Sequence, residues 1–200
     1  MSKQSWKGGA LLAPVPPVLV SCGTMEEANV MTAAWTGIVN TQPPVTYVSI
    51  RPSRYSYDLI QKTGEFVLNL PVKKLVKTID FCGCRSGREV DKFAKFGLTK
   101  EQANHVKAPL IAECPVSLEC KVRSVTALGT HDMFLADIVG VNVDEQYLDE
   151  QGRLMMEKME LLCYAHGTYF SVGKPLGTFG YSVRKKPLKK KADNSKKRER

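Results

Sequence analysis

The sequence predicts a mainly β protein, in which an antiparallel Greek-key barrel carries helices inserted near its middle. Seven short runs of apolar and β-branched residues are separated by Gly, Asn and Pro, a pattern typical of barrel strands. Apolar residues recur at helical spacing only between residues 53 and 96. Because strands and helices do not alternate regularly, a doubly wound parallel sheet is not expected.

The first half of the barrel is predicted from four runs. The strands are expected at residues 15–22, 30–39, 45–50 and 66–70. Residues 40–44 form a turn, because two consecutive prolines cannot lie inside a central strand. Pro71 ends the fourth strand.

Three helices are predicted in the middle of the chain. They are expected at residues 53–62, 73–81 and 90–96. Gly64 and Gly97 follow the first and third of them, as glycines that end helices do. A glycine-rich break at residues 82–87 separates the second helix from the third.

The second half of the barrel returns to strands. They are expected at residues 116–128, 133–143 and 161–170. The chain length suits one domain of ordinary size, which we place at residues 1–181. Residues 182–200 then form a basic tail.

The tail carries nearly all of the net charge of +9. Residues 184–200 contain ten Lys or Arg against two acidic residues, which leaves a body of charge close to zero. A tail with so few apolar residues is expected to be disordered. It either keeps the protein soluble or contacts nucleic acid or an anionic membrane, and the absence of aromatic residues makes nucleic acid the weaker interpretation.

The cysteines and the N-terminus favour a cytoplasmic protein. Leu19–Cys22 resembles a lipoprotein cleavage site, but prolines interrupt the apolar run before it, so a first strand is the better interpretation. No run is long enough to span a membrane. The six cysteines then stay reduced. Cys82 and Cys84 could form a redox or metal pair, although structural thiols are favoured.

The common nucleotide-binding motifs are absent from the sequence, which contains no G-x-G-x-x-G and no Walker loop. Residues 29–36 offer another way to bind a flat, polar-edged ring. Short hydroxyl and amide side chains such as Asn29, Thr32 and Thr36 leave room for the ring, as do Ala33 and Ala34. Taken alone, the segment is more typical of a core strand that packs Trp35 inside.

A cluster of basic and hydroxyl residues at the start of the first predicted helix suits a phosphate. Arg51, Ser53, Arg54 and Ser56 can add charge-assisted hydrogen bonds to those of the helix N-terminus. The alternative is a serine N-cap with solvated arginines. Lys92 and His131 are two further candidates. Lys92 could instead be a surface lysine, and a lone histidine such as His131 is more often an ordinary strand-end residue.

Six motifs in order resemble the flavin reductase-like family of FMN-binding split barrels, and within it the flavoredoxin type. The resemblance covers roughly residues 10–181. Its segments are Asn29–Pro44, Ile50–Ile60, Gly64–Asn69, Asp91–Phe93, Gly129–Phe134 and Tyr169–Gly177. Thr130 stands where many members carry Asp, which leaves open what orients His131.

The resemblance implies an FMN site, a homodimer and a role in electron transfer or flavin reduction. It implies that the cofactor is contacted by Asn29, Met31, Thr32, Ala33, Ala34, Trp35, Thr36, Arg51, Ser53, Arg54, Ser56, Lys92, His131 and Tyr164. No catalytic side chain and no metal are implied. The electron donor would be NAD(P)H or ferredoxin, and the acceptor is open. Alternatives are an NAD(P)H:flavin oxidoreductase that uses flavin as a diffusible substrate, or a non-catalytic binding module.

Overall fold

Strands dominate residues 1–184, the part of the chain that the computed structural model describes. The basic tail predicted from residue 182 therefore lies, from residue 185 onward, outside the described residues. Seven strands form the main sheet: β1 (Val18–Cys22), β2 (Asn29–Ala33), β3 (Thr36–Thr41), β4 (Pro44–Ile50), β5 (Glu65–Leu70), β8 (Val116–Ala127) and β9 (Asp132–Val143). Two strand pairs lie outside it: β6 (Lys100–Glu101) with β7 (Leu110–Ile111), and β10 (Leu162–Ala165) with β11 (Thr168–Ser171).

The main sheet is antiparallel throughout and has the order β2-β1-β5-β8-β9-β4-β3. Its two edge strands, β2 and β3, are consecutive in the chain and are joined only by Ala34 and Trp35. Three peptide steps span at most about 11 Å, so the ends of the two edges must lie close together. The sheet therefore curls into a barrel that stays split between β2 and β3, which confirms the predicted fold class.

Two predicted strands were wrong in their extent. The expected strand at 30–39 is divided into β2 and β3, because the chain passes from one edge of the split to the other at Ala34 and Trp35. The expected strand at 161–170 is a hairpin with a two-residue loop. His166 and Gly167 both have positive φ (49° and 83°), as the tightest hairpin turns require.

The helices lie where they were predicted, with shifted ends. They are α1 (Tyr55–Thr63), α2 (Val76–Cys84) and α3 (Lys92–Phe96), and a 3₁₀ turn at Lys73–Leu75 precedes α2. Gly64 and Gly97 end α1 and α3 in the left-handed conformation, as expected. Among residues 1–184, no helix is long and apolar enough to cross a bilayer.

Two apolar clusters hold this arrangement together. One fills the barrel, with Val20, Phe66 and Phe134 at its centre, and packs against the buried Ile60 of α1. The other packs α2 and α3 onto the sheet. Both helices are therefore fixed beside β2, which forms one edge of the split.

Asn69 is a buried structural residue. Its Nδ2 donates to the Leu19 carbonyl and to Ser21 Oγ, both at 2.9 Å, and its Oδ1 accepts from Ile111 N and Ser117 Oγ. These bonds join β1, β5, β7 and β8. The role of Asn69 in the family motif is thus explained by the fold, because a buried amide with satisfied hydrogen bonds fixes strand positions.

Candidate functional site

Two adjoining cavities lie at the split of the barrel. The larger has a volume of about 460 Å³ and the smaller about 190 Å³. Met31, Arg51 and Arg54 line both of them, so the cavities form one continuous depression. We call them the cleft and the cationic pocket. A volume in this range is typical of sites for small molecules and cofactors.

The cleft has two walls of different origin. The first consists of the chain from Thr32 to Trp35, where β2 passes to β3, together with His131 just before β9. The second is formed by the C-terminal half of α2 and by the hairpin of β10 and β11. Its lining residues include Asp80, Gly83, Cys84, Tyr164, Gly167 and Tyr169. A flat ligand can therefore lie against the first wall with its other face turned toward the second.

Trp35 is the most unusual residue of the first wall, because 48% of it is exposed. The alternative that it packs in a core is wrong: its position in the link between two edge strands keeps it at the surface. Its ring lies 4.7 Å from that of His131, at an interplanar angle of 39°. The two rings form an aromatic surface that is open to a ligand.

His131 is oriented by its neighbour. Thr130 Oγ1 lies 2.9 Å from His131 Nδ1, within hydrogen-bond distance, so the preceding hydroxyl can fix the orientation of the ring. Burial lowers the pKa of His131, and the positive charges of Arg51 and Arg54 lower it further. The imidazole therefore favours its neutral form.

The second wall is held in place by the N-terminal segment. Val15 and Tyr164 exchange two backbone hydrogen bonds, of 2.9 and 2.8 Å, which adds a third strand-like segment to the hairpin. The rings of Tyr164 and Tyr169 pack at 5.3 Å. Tyr169 Oη donates to Asp80 Oδ1 over 3.4 Å. Burial, assisted by the charge of Asp80, raises the pKa of Tyr169 to about 12.

The cationic pocket has a strong excess of positive charge. Its lining includes Arg51, Arg54, Arg85 and Lys92, and in the described part of the chain no carboxylate lines it. Ser53, Ser56 and Ser86 add hydroxyl groups. Cations and hydroxyls without an acidic partner are suited to a phosphate, because each can donate a hydrogen bond to an anionic oxygen.

The start of α1 also leaves backbone donors free. The N-cap of α1 is Arg54, whose side chain makes no capping hydrogen bond. The alternative of a serine N-cap is therefore wrong, since Ser53 precedes the cap and Ser56 lies within the first turn. The N–H groups of that turn strengthen the preference of the pocket for an anion.

Buried contacts shape the pocket before any ligand arrives. Asn29 Nδ2 donates to Ser56 Oγ at 2.8 Å, and both residues are buried. Gly87 approaches this pair so closely that a Cβ on it would lie 2.2 Å from Asn29 Oδ1 and 2.7 Å from the Tyr55 ring. Arg88, which follows the glycine-rich break, donates hydrogen bonds to the Ser53 carbonyl and to the Asp58 carboxylate. These bonds hold the break beside the start of α1.

Lys92 is buried, with 3% of its surface exposed, so the alternative of a surface lysine is wrong. Asp91 caps α3 by accepting from Ala94 N, which turns the following lysine inward. Its Nζ donates to the carbonyls of Val30 (2.8 Å) and Cys82 (3.1 Å). An ammonium has three donors, so one is left for a ligand. Burial, and then the charge of Arg54, lowers the pKa of Lys92.

Thirteen of the fourteen residues expected to contact the cofactor line one or both cavities. Around the cleft are Thr32, Ala33, Ala34, Trp35, His131 and Tyr164; around the cationic pocket are Asn29, Ser53, Ser56 and Lys92; Met31, Arg51 and Arg54 line both. Thr36 lines neither, because its hydroxyl donates to the Tyr47 carbonyl inside the sheet. Thr32 lines the cleft, but its hydroxyl is already bonded to the Ile79 carbonyl at 2.6 Å.

Sequence reasoning missed two groups of lining residues. Arg85 and Ser86 lie in the glycine-rich break after α2, where no motif was recognised. Asp80 and Tyr169 face each other across elements far apart in the chain, for which no local signal exists. The cysteines themselves are all free thiols. Burial raises the pKa of both Cys22 and Cys82 to about 11, which is typical of unreactive thiols.

Comparison with known proteins gives a consistent assignment. Residues 11–173 match the flavin reductase like domain family. An uncharacterised protein of Archaeoglobus fulgidus is 36% identical over 138 residues, which are 69% of this chain and 77% of that protein.

Solved structures agree with this match. Flavoredoxin of Desulfovibrio vulgaris (Miyazaki F) superposes with a TM-score of 0.84 at 33% identity, covering 92% of this chain and all of the other. An FMN-binding protein of Thermus thermophilus superposes with a TM-score of 0.74 at 26% identity, over 88% of this chain and 99% of that one. Structures of that protein contain cyclohex-2-enone or p-hydroxybenzaldehyde. The family match spans most of the chain, so this protein belongs to the flavin reductase-like family and its function is related to a flavin.

Proposed function

We propose that this protein binds FMN and carries electrons between a donor and an acceptor. The observation that carries the proposal is the junction of the two cavities: a pocket with four cationic side chains and no carboxylate among its described lining residues opens into an aromatic cleft. FMN has the same two parts, a dianionic phosphate and a flat ring. The residues present therefore fit this cofactor better than an uncharged flavin.

The phosphate would be held by Arg51, Arg54 and Arg85, with Ser53 and Ser86 as hydroxyl donors. Hydrogen bonds to charged groups are the strong ones, each about 1.5–3 kcal/mol. Lys92 adds its third N–H from below the pocket. Ser56 is already bonded to Asn29, so its first role is to fix the shape of the pocket.

The ring would lie along the first wall of the cleft. Ala33 and Ala34 leave space there, and Ala34 lies outside both strands, although the Trp35 carbonyl already accepts from Ser49 N at 2.9 Å. Trp35 and His131 supply an aromatic border. FMN supplies the redox chemistry when bound, and the residues of this chain bind the ring and admit a second compound to its exposed face.

A homodimer is part of the proposal. Trp35, Ile38 and Val39 expose apolar surface along β3, which is an edge strand of the sheet. A second copy that covers this edge would bury that surface. We place the dimer in the cytoplasm, where its six free thiols would stay reduced. NAD(P)H or ferredoxin is the proposed donor.

The proposed electron acceptor is a small carbonyl compound, because structures of the FMN-binding protein of Thermus thermophilus contain bound cyclohex-2-enone or p-hydroxybenzaldehyde. The cleft of this protein has an open second wall with tyrosine hydroxyls, which supports the same class.

Flavin loading tests the proposal directly. The purified protein is titrated with FMN and with riboflavin, and binding is followed by quenching of flavin fluorescence. We expect FMN to bind more tightly by roughly 100-fold or more, because two or more charge-assisted hydrogen bonds to the phosphate are absent from riboflavin. Failure to bind either flavin would overturn the proposal.

The fate of the flavin separates the carrier from the diffusible-substrate alternative. A carrier retains FMN through purification and dialysis, and its bound flavin is reduced by NADH, NADPH or reduced ferredoxin under anaerobic conditions. A flavin reductase that uses flavin as a substrate instead loses FMN and oxidises NADH in proportion to added free flavin, with saturation. The second result would replace the carrier role while leaving the site intact.

A further inference from the structure

We infer that the second wall of the cleft is a recognition site for the oxygen of a small planar carbonyl compound, with Tyr169 as the specificity-determining residue. The inference rests on the proposed function, since the compound would lie between this wall and a flavin bound along the first. Tyr169 would select the compound by donating a hydrogen bond from its hydroxyl to the carbonyl oxygen.

The wall combines two aromatic rings with a few polar groups, among them the Asp80 carboxylate and the tyrosine hydroxyls. The rings of Tyr164 and Tyr169 pack at 5.3 Å with an interplanar angle of 55°, and Gly167 adds no side chain. A small cyclic compound can lie against these rings. The hydroxyl of Tyr169 is the polar group that would fix its orientation, because a few placed donors and acceptors give an otherwise apolar site its specificity.

The hydroxyl of Tyr169 is available to a ligand. Its bond to Asp80 Oδ1 is 3.4 Å long, well beyond the optimum near 2.7–2.8 Å for hydroxyl donors, so turning the hydroxyl away from Asp80 costs little. The pKa of Tyr169 is raised to about 12, so the group keeps its proton at any pH at which the protein works. A hydroxyl that stays protonated and is weakly bonded is suited to donate to a carbonyl oxygen.

Asp80 then competes with the ligand for the same proton. Removal of the Asp80 carboxylate therefore changes ligand affinity in a direction that depends on whether the wall donates or accepts the hydrogen bond. If Tyr169 donates to a carbonyl, loss of the Asp80 carboxylate leaves ligand affinity unchanged or improves it. If the wall instead accepts a hydrogen bond from a ligand, loss of Asp80 weakens binding.

The test measures binding of cyclohex-2-enone to the protein loaded with oxidised FMN, by isothermal titration calorimetry. Cyclohexene, which has no carbonyl, is the matched ligand. We expect Tyr169→Phe to weaken binding of the enone by about fivefold to tenfold, the effect of one hydrogen bond, and to leave binding of cyclohexene unchanged. Tyr181→Phe removes an exposed hydroxyl outside both cavities and serves as the control variant.

Asp80→Ala is the second variant, and its exposed position makes it safe for folding. We expect it to bind the enone at least as tightly as the unmodified protein. The inference is overturned if Tyr169→Phe leaves enone affinity unchanged, or if Asp80→Ala weakens it as much as Tyr169→Phe does. Retention of FMN is checked by visible absorbance in every variant. A protein that takes up no flavin defeats the proposed function itself, whereas unaltered affinity in loaded Tyr169→Phe defeats this inference alone.

Discussion

The cationic pocket and the cleft are two ends of one depression, built in opposite ways. The pocket is made from buried groups that already satisfy one another, such as Asn29 with Ser56 and Lys92 with two carbonyls. The cleft is bordered by half-exposed aromatic rings and by a long, weak hydrogen bond. One end is therefore shaped before the ligand binds, and the other stays open.

This difference suggests a division of labour. A preformed site loses little entropy when its ligand binds, so the pocket should supply most of the affinity. An open aromatic cleft binds less tightly but lets a donor and an acceptor reach the ring. Changes in the pocket should therefore distinguish FMN from riboflavin, whereas changes in the cleft should affect both flavins alike.

The largest effect is expected from the double variant Arg51→Ala/Arg54→Ala. Both guanidinium groups line the pocket, and no carboxylate among its described lining residues neutralises them. We expect FMN affinity to fall by roughly 100-fold or more, while riboflavin affinity changes little. Fluorescence titration measures both.

Arg123→Ala is the matched control, because Arg123 is paired with Asp137 on the sheet and lines neither cavity. An equal loss of FMN and riboflavin affinity in the double variant would contradict the division of labour.

Gly87→Ala tests the preformed shape of the pocket. A methyl group at this position overlaps both Asn29 and Tyr55, so both side chains, or the loop that carries Gly87, must shift. Overpacking of this kind costs about 1–3 kcal/mol, and we expect that loss in the free energy of unfolding, measured in urea. FMN affinity should fall by about tenfold if the shift reaches Ser56.

Gly173→Ala provides the comparison, since a Cβ there has no neighbour within 4 Å and the backbone is not in the left-handed region. If Gly87→Ala and Gly173→Ala change the free energy of unfolding and FMN affinity by the same amounts, the close approach at Gly87 is not what shapes the pocket.

Trp35→Ala tests the contribution of the cleft to flavin binding. Trp35 is half exposed, so we expect its loss to change stability little, but to weaken FMN and riboflavin by the same factor. Aromatic contacts contribute about 0.5–1.5 kcal/mol beyond the area they bury, which corresponds to a loss of up to about tenfold. Trp6→Ala removes an exposed indole outside both cavities and is the control. A loss confined to FMN would place Trp35 at the phosphate instead.

The fold was largely predictable because it depends on local patterns. Strand runs, helix-ending glycines and the proline turn each have a signal within a few residues, and the order of elements followed from them. The two strands with wrong extents have different causes. Apolar residues continue through Ala34 and Trp35, so that run looks unbroken although the chain crosses the split there. The hairpin turns at His166 and Gly167, which is not one of the strong two-residue turn signals such as Asn-Gly or Asp-Gly.

The candidate site was less evenly predictable. Motif residues in β2 and before α1 were found, because they lie close together in the sequence. The burial of Lys92 was not, since it depends on the cap at Asp91 and on contacts with β2. The pair of Asp80 and Tyr169 was missed for the same reason: it exists only once α2 and β11 are packed together.

The smallest effect that we expect is a pH dependence of FMN affinity and of stability, caused by Lys92 in the cationic pocket. In the flavin-free protein, burial holds the pKa of Lys92 below its ordinary value of 10.5. A phosphate dianion beside the ammonium raises that pKa, so the complex retains a proton that the free protein has lost. FMN affinity should therefore fall as pH rises from the lowered pKa of Lys92 in the free protein toward its higher pKa in the complex.

The stability of the flavin-free protein should change in the opposite direction. The unfolded chain holds the Lys92 proton up to pH 10.5, whereas the folded protein releases it earlier, so the unfolded state binds more protons in this window. The free energy of unfolding then rises with pH, since its slope has the sign of the protons bound by the unfolded state minus those bound by the folded state. Titration of FMN and riboflavin and urea denaturation, each at several alkaline pH values, measure the two slopes. Lys92→Met should abolish both, and a fall in riboflavin affinity equal to that of FMN would show that the phosphate is not the group that Lys92 senses.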